Sequence, residues 1–432
     1  MRVRLLLAAA AALTTTVLVA CGSPGAQDDT PQDDEPADEL TVLVSASPSA
    51  TGLRELATEY TAETGVTIEF VEVPTAQLPT KIILAVQSGQ QTFDLAQFDG
   101  FTMPQIAAAS ALLPLDDFLG EDDEYDYADF PEGLQEYAKQ DGTTYGLPLS
   151  TEPVVQLYRT DLYQQLGLQP ATTWDEVVGN ADALSAAGHY GWASAYGPAV
   201  SAHYYNQMLY SSGGRLLDPE SYEPQFDTDI NRQVMERFLS LVEYTPESSR
   251  TGASADMINA FSQLQVGQLT AASGWYSTVA DPSQSAVAET FGVADLPMES
   301  GGPYDSINVL NGWLLGISPS SPHQQAAWDF AAWALGKDNV KAFIDAGAPP
   351  PARTSTTTND DYTTQLPYLT AVGTAAETGA PIERIPETAQ IISVISQTIN
   401  SMATGQLSLD EGMAKIQDDL TNILVQAGRY GG

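Results

Sequence analysis

Cysteine is nearly absent from this chain: 432 residues contain one, Cys21. A disulfide framework within the chain is excluded. Basic residues are also scarce, 16 Lys and Arg against 56 Asp and Glu, for a formal net charge of −40. A surface of that sign repels phosphate backbones, which excludes nucleic acid as a main partner. It also disfavours an anionic ligand unless a local Arg cluster overrides the field. Only three histidines occur; His189, His203 and His323 are scattered, lack metal-ligand spacing and read as surface or packing residues. Reactive motifs are missing too: no G-x-S-x-G, H-E-x-x-H, G-x-x-x-x-G-K-[ST] or G-x-G-x-x-G occurs. In so acidic a chain a pair of carboxylates carries no glycosidase signal. No enzyme activity, cofactor or metal is expected. Beyond the first twenty residues no apolar run approaches the roughly 20 residues of a membrane span.

What is present begins at the N-terminus. Arg2 and Arg4 precede an apolar stretch from Leu5 to Leu13, then Thr14-Thr15-Thr16 and Val17-Leu18-Val19-Ala20-Cys21. This is the charged, apolar and small-residue order of a secretory signal over 1–20, too short for a comfortable membrane span. Leu18 to Cys21 resembles the lipobox of bacterial lipoproteins; the alternative is an ordinary secretory signal with a chance cysteine. The lipobox reading implies lipidation of Cys21, which becomes the mature N-terminus on the outer face of the cell membrane. Residues 21–39, rich in Gly, Ser, Pro, Gln, Asp and Glu, have nothing to bury and read as an acidic flexible tether.

About 410 residues follow the signal and 43% of the chain is hydrophobic, enough for two domains. Leu40 to Val44 reads as a buried strand. Leu53, Leu56, Ala57 and Tyr60 then share one helical face, and Val66 to Val71 forms a second strand. A helix over about 76–88 and a strand from Phe93 to Phe98 complete a β-α-β-α-β run, which predicts a parallel sheet in an α/β fold. Ligands of such sheets sit beyond the carboxyl ends of the strands. Further on, a helix from Trp174 to Ala187 capped by Thr172 or Thr173, a strand over Tyr190–Ala193 and a helix near 202–212 are predicted. Ile392, Ile395, Ile399 and Met402, and Leu409, Met413, Ile416, Leu420, Ile423, Leu424 and Ala427, form two core-facing stripes. The acidic cluster 116–129 reads as solvated surface, or as a weak cation site whose spacing fits no calcium loop.

Aromatic and amide side chains gather at turns: Trp192 to Tyr196, Ser273-Gly274-Trp275-Tyr276 and Asn308 to Trp313. A neutral hydroxylated ligand needs flat apolar surfaces for its C–H faces and fixed polar groups for its hydroxyls, and these residues supply both.

Several segments, in order, resemble the extracellular solute-binding proteins of bacterial ABC importers, in their carbohydrate-binding, maltose-binding-protein-like branch. They are Leu53 to Val66, Ser88-Gly89 with Phe93-Asp94, Leu112 to Leu115 and Asp141 to Pro148. Leu157 to Leu162, Thr172 to Glu176, Ala260-Phe261 with Gly267-Gln268 and Gly274-Trp275, and Gly312 to Pro319 with Ala326 to Phe330 continue the series. The resemblance covers Leu40 to about Gly428. It implies a type II two-lobed periplasmic-binding-protein-like fold, with ligand held in a cleft between hinge-linked lobes. Residues 40–149 and 312–350 would form the first lobe, 152–306 and 353–428 the second. Hinge crossings would lie at 148–153, 306–312 and 348–353. It implies ligand contacts from Asp99, Glu152, Tyr196, Trp275, Asn311, Trp313 and Arg353, and a permease as partner of a monomer tethered by its lipid. The implied ligand is a neutral sugar, oligosaccharide or polyol. A peptide, amino-sugar or organic anion in the same fold, or a secreted glycan-acting hydrolase, is the alternative.

Overall fold

The computed structural model describes residues 37–89 and 92–430. The signal over 1–20, Cys21 and tether residues 21–36 lie outside them. The first sheet has five strands in the order Thr67–Glu72, Glu39–Val44, Leu95–Asp99, Gly312–Ile317 and Leu147–Thr151. The first three run parallel, and Gly312–Ile317 is antiparallel to both of its neighbours. Leu40, Val42, Leu43 and Val44 are buried, as are Leu95, Ala96 and Phe98, consistent with helices covering both faces. The helix Pro48–Thr64 starts where Ser47 caps it with Pro48 in its first turn. It stops at Gly65, whose φ of 83° suits glycine, and its buried face is Leu53, Leu56, Ala57 and Tyr60.

A second, three-stranded antiparallel sheet has the order Gln268–Ala272, Val154–Arg159, Phe291–Ala294. Around it pack Trp174–Ala186, Ser201–Ser211, Thr388–Ala403 and Leu409–Gln426. Thr173 caps the first of these in a reciprocal capping box with Glu176. The last two helices bury Ile391, Ile392, Ile395, Ile399 and Met402, and Met413, Ile416, Leu420, Ile423 and Leu424. Ala427 is the exposed cap residue beyond them. Residues 190–193 are not a strand. Tyr190 and Ala193 make only single bridges to Val266 and Leu269. The reason is that Trp192 donates its N–H to Tyr244 O and Ala193 its own to Gln268 O, so no single ladder forms. Gly191 is pressed against Ala181, where a Cβ would lie 2.0 Å from the carbonyl oxygen.

Among the described residues two large hydrophobic cores result, one on each sheet, beside a small cluster of Leu162, Tyr163 and Leu184. The chain leaves the first at Thr151 and enters the second at Val154, with only Glu152-Pro153 between the strands. It returns between Val309, in the second core, and Leu310, in the first. The third passage is not at 348–353. Ala348 and Ala352 are buried in the first core, and so are Tyr368, Leu369, Val372 and Ala376 of the helix Tyr368–Thr378. Ile382 and Ile385 belong to the second core. The chain therefore crosses near Ala380, whose N–H donates to Asn308 O and whose carbonyl accepts from Leu310 N–H. The helix Tyr368–Thr378 thus packs mainly on the first core, with Ala371 turned to the second.

Arg353 explains the displacement. Its side chain is fully buried; Nε donates to Leu335 O at 3.0 Å, Nη1 to Asp126 O at 2.9 Å and Nη2 to Tyr125 O at 3.0 Å. Its guanidinium lies over the rings of Phe130 and Tyr125. Part of the acidic cluster is accordingly structural rather than solvated: Asp129 is within 3.6 Å of Arg353, and Asp122 accepts from Trp328 Nε1.

Candidate ligand cavity between the lobes

A cavity of about 220 Å3 opens where the crossings meet. Glu152 and Val154 reach it from the first crossing, Val309 and Asn311 from the second. Ala272 and Trp275 come from the end of the Gln268–Ala272 strand and the turn after it, and Ser254 from the start of the helix Ser254–Ser262. Val200, His203, Tyr204, Asn206 and Gln207 are supplied by the helix Ser201–Ser211 and the residue before it. The first lobe closes the wall with Phe101, beyond the Leu95–Asp99 strand. The Phe101 ring lies 5.3 Å from the His203 ring and packs against the second core, so the two lobes touch here. Tyr276 and Tyr368 make a second interlobe ring pair at 4.9 Å.

The polar groups are held in place. Gln207 fixes the second crossing twice, donating to Val309 O at 3.0 Å and accepting from Val309 N–H at 3.2 Å. Tyr204 donates to Ser254 Oγ at 2.7 Å. Glu152 Oε1 accepts from Ser150 Oγ at 3.1 Å and Ser49 Oγ at 3.4 Å. Burial pushes the Glu152 carboxyl above the usual carboxylate range, against the lowering effect of those two hydroxyls. Burial likewise lowers the pKa of His203 and so favours its neutral form. Asn206 is 3% exposed and its Oδ1 has no partner. Among the described residues no Lys or Arg lines the cavity, and Glu152 is its one carboxylate.

Glu152, Trp275 and Asn311 therefore all line the cavity. Asp99 is close but engaged elsewhere. It lies two residues before Phe101, and its Oδ1 accepts from Thr102 N–H at 2.9 Å. Burial raises its carboxyl pKa as well. Trp313 pairs in register with Asp99, is partly buried against the first core and does not line the cavity. Tyr196 is not a cleft residue. It is fully buried in the second core, where its hydroxyl donates to Phe238 O at 3.0 Å. Arg353 is equally remote, locked into the first core as described. Sequence reasoning missed Phe101, His203, Tyr204, Asn206, Gln207 and Ser254. His203, Asn206 and Gln207 stand at i, i+3 and i+4, a polar stripe on a helix otherwise largely buried. The unusual count of buried amides on one helix is the signal that could have found them.

The sequence profile described as bacterial extracellular solute-binding protein matches residues 46–341. The chain belongs to this family. Among relatives of this solute-binding protein, a Sinorhizobium fredii protein is named "Probable amino-acid ABC transporter periplasmic-binding protein y4oP". It is 24% identical over 401 residues, 90% of each chain. The mannitol-binding protein of Pseudomonas aeruginosa is 26% identical over 370 residues, covering 80% of this chain and 83% of its own. A solved ABC transporter solute-binding protein from Agrobacterium radiobacter K84, in complex with ribitol, superposes with a TM-score of 0.81 at 25% identity. The match covers 89% of this chain and 98% of that one. The fold is the two-lobed one of periplasmic solute-binding proteins. Among the described residues no helix is long and apolar enough to cross a membrane, and no group of three or more His, Cys, Asp or Glu could hold a metal.

Proposed function

We propose that this protein is the capture component of a bacterial ABC importer, taking a neutral polyol or single sugar into the interlobe cavity and delivering it to a permease. One observation carries the reading: the cavity joins Trp275 and Phe101 to amide and hydroxyl groups, and among the described residues no Lys or Arg lines it. Apolar faces bind C–H surfaces, and fixed amides read hydroxyls. At about 220 Å3 the cavity is smaller than the roughly 300–1,000 Å3 of drug-sized ligand sites, which favours a polyol or single sugar over an oligosaccharide. The relatives named for mannitol and ribitol agree.

The protein acts as a tethered monomer, with Cys21 lipidated outside the cytoplasmic membrane and the acidic tether after it giving reach. It binds its ligand without turning it over. Melting in the presence of mannitol, ribitol, hexoses, disaccharides and amino acids tests the ligand class, because a ligand of the native state raises stability by RT ln(1 + [L]/Kd). An upward shift with a polyol or monosaccharide is expected, with the ligand recovered unchanged. A shift with amino acids alone would overturn the polyol reading in favour of the class named for the Sinorhizobium relative.

A further inference from the structure

We propose that the adjacent residues Glu383 and Arg384 form a strap that sets how the two cavity walls stand to each other: Glu383 holds the second-lobe wall and Arg384 the first. The strap presupposes the interlobe cavity as the ligand site, and neither residue lines it, so both are positioning residues. They sit in the third passage, after Ala380 and between Ile382 and Ile385 of the second core.

On one side, Glu383 Oε1 accepts from the Tyr210 hydroxyl and from Leu217 N–H, the latter at 3.2 Å. Tyr210 stands in the last turn of the helix Ser201–Ser211, whose His203, Tyr204, Asn206 and Gln207 line the cavity. The Arg215 guanidinium lies over the Tyr210 ring at 4.8 Å and braces it. On the other side, Arg384 donates to the carbonyls of Glu136, Tyr137 and Lys139, and its own carbonyl accepts from Gln140 Nε2 at 3.4 Å. Tyr137 carries that grip inward. Its buried hydroxyl accepts from Gly100 N–H at 2.9 Å and donates to Gly312 O at 3.1 Å. Gly100 and Gly312 are the chain neighbours of Phe101 and Asn311, both on the cavity wall. A Cβ at Gly100 would lie 2.3 Å from the Tyr137 ring, so this approach requires glycine.

The two grips cannot separate while both hold, because consecutive α-carbons stay about 3.8 Å apart. A helix moves as a body, so a shift of Tyr210 also shifts Asn206 and Gln207 one turn away. Burial raises the Glu383 carboxyl pKa and favours the neutral acid, which keeps an oxygen free to accept from Tyr210. Loosening either grip lets the walls drift. Apparent affinity then falls by the fraction of molecules whose walls remain assembled.

The test reads affinity by calorimetry and the ligand-free radius of gyration by small-angle scattering, on the full chain, with mannitol, ribitol and glucose as probes. Tyr210→Phe removes the hydroxyl given to Glu383, and Tyr137→Phe the one shared by Gly100 and Gly312. Each should weaken the bound probe by about 3–30-fold. Glu383→Gln retains the acceptor and should keep affinity within about twofold of wild type. Tyr210→Phe and Arg384→Ala should each enlarge the ligand-free radius. Their double variant should bind no more weakly than Arg384→Ala alone, because the two grips act in series. Losses that multiply in the double variant, unchanged affinity in both phenylalanine variants, or a loss in Glu383→Gln matching that in Tyr210→Phe overturns the strap. If the wild type binds none of the probes the polyol reading falls, and the radius decides the strap alone: no enlargement in Tyr210→Phe and Arg384→Ala overturns it.

Discussion

The backbone N–H of Glu152 donates to the carbonyl of Asn311 at 2.8 Å, tying the first crossing to the second directly beside the cavity. Both residues also present side chains to the cavity. The cavity wall and the bond between the two crossings therefore share the same two residues.

Trp275 tests the cavity most simply. It is half-buried against the second core and stands on the cavity wall. Trp275→Ala should weaken the bound sugar or polyol by about 10–100-fold, a typical cost of losing an aromatic anchor. The ligand-free melting temperature should move little. A large loss of ligand-free stability would make Trp275 a core residue instead.

Glu152 also predicts a pH dependence. Its folded pKa is raised by burial, so the native state holds its proton more tightly than the unfolded chain does. Its contribution is therefore fully favourable below the ordinary carboxylate range and is lost as pH rises through the raised value. Asp99 and Glu383, both raised by burial, act in the same direction. Glu152→Gln should raise the ligand-free melting temperature at neutral pH, on the order of 2 °C, and flatten its decline from pH 4 to 8. Unchanged melting across that range would contradict the assignment.

Arg353 should matter for stability and not for ligand. Arg353→Met strands three backbone carbonyls that now accept charge-assisted hydrogen bonds. A loss of about 3–5 kcal/mol is expected in urea unfolding. Ligand affinity of the folded fraction should be unchanged, since the side chain is buried in the first core, away from the cavity.

Arg384 offers a probe of closure. It lies between Ile382 and Ile385 of the second core. Its guanidinium donates to the carbonyls of Glu136, Tyr137 and Lys139, at and just beyond the end of a first-lobe helix. Arg384→Ala removes this interlobe clamp and should shift the ligand-free population towards an open form. Small-angle scattering would register a larger radius of gyration that ligand reverses. An identical radius with and without the clamp would rule out that role.

The first lobe was legible because its pattern is local. The stripe Leu53, Leu56, Ala57, Tyr60 and the strand cores on either side fix helix and sheet without reference to distant residues. Trp275 and Asn311 lie in turn segments whose aromatic and amide content stands out, whereas Glu152 is pointed to only by the family resemblance; all three line the cavity. Arg353 misled for a physical reason. The family resemblance implies a ligand contact there, but its partners are main-chain carbonyls of Tyr125, Asp126 and Leu335, which no side-chain pattern announces. Tyr196 misled similarly, since a buried tyrosine with one hydroxyl contact has the same sequence signature as a stacking platform. The stripe of Ser201–Ser211 failed the other way: a polar face that looks solvent-bound lines an internal space.

The strand Glu39–Val44 lies inside the first sheet, flanked on both edges by hydrogen-bonded neighbours, and Ala37 packs on the same core. A mechanical load applied at residue 37 thus enters one lobe and is spread through its sheet by shear across paired strands. The crossings near Glu152, Leu310 and Ala380 lie outside that load path. A pull at residue 37 is therefore borne first by the strand pairs of the first sheet.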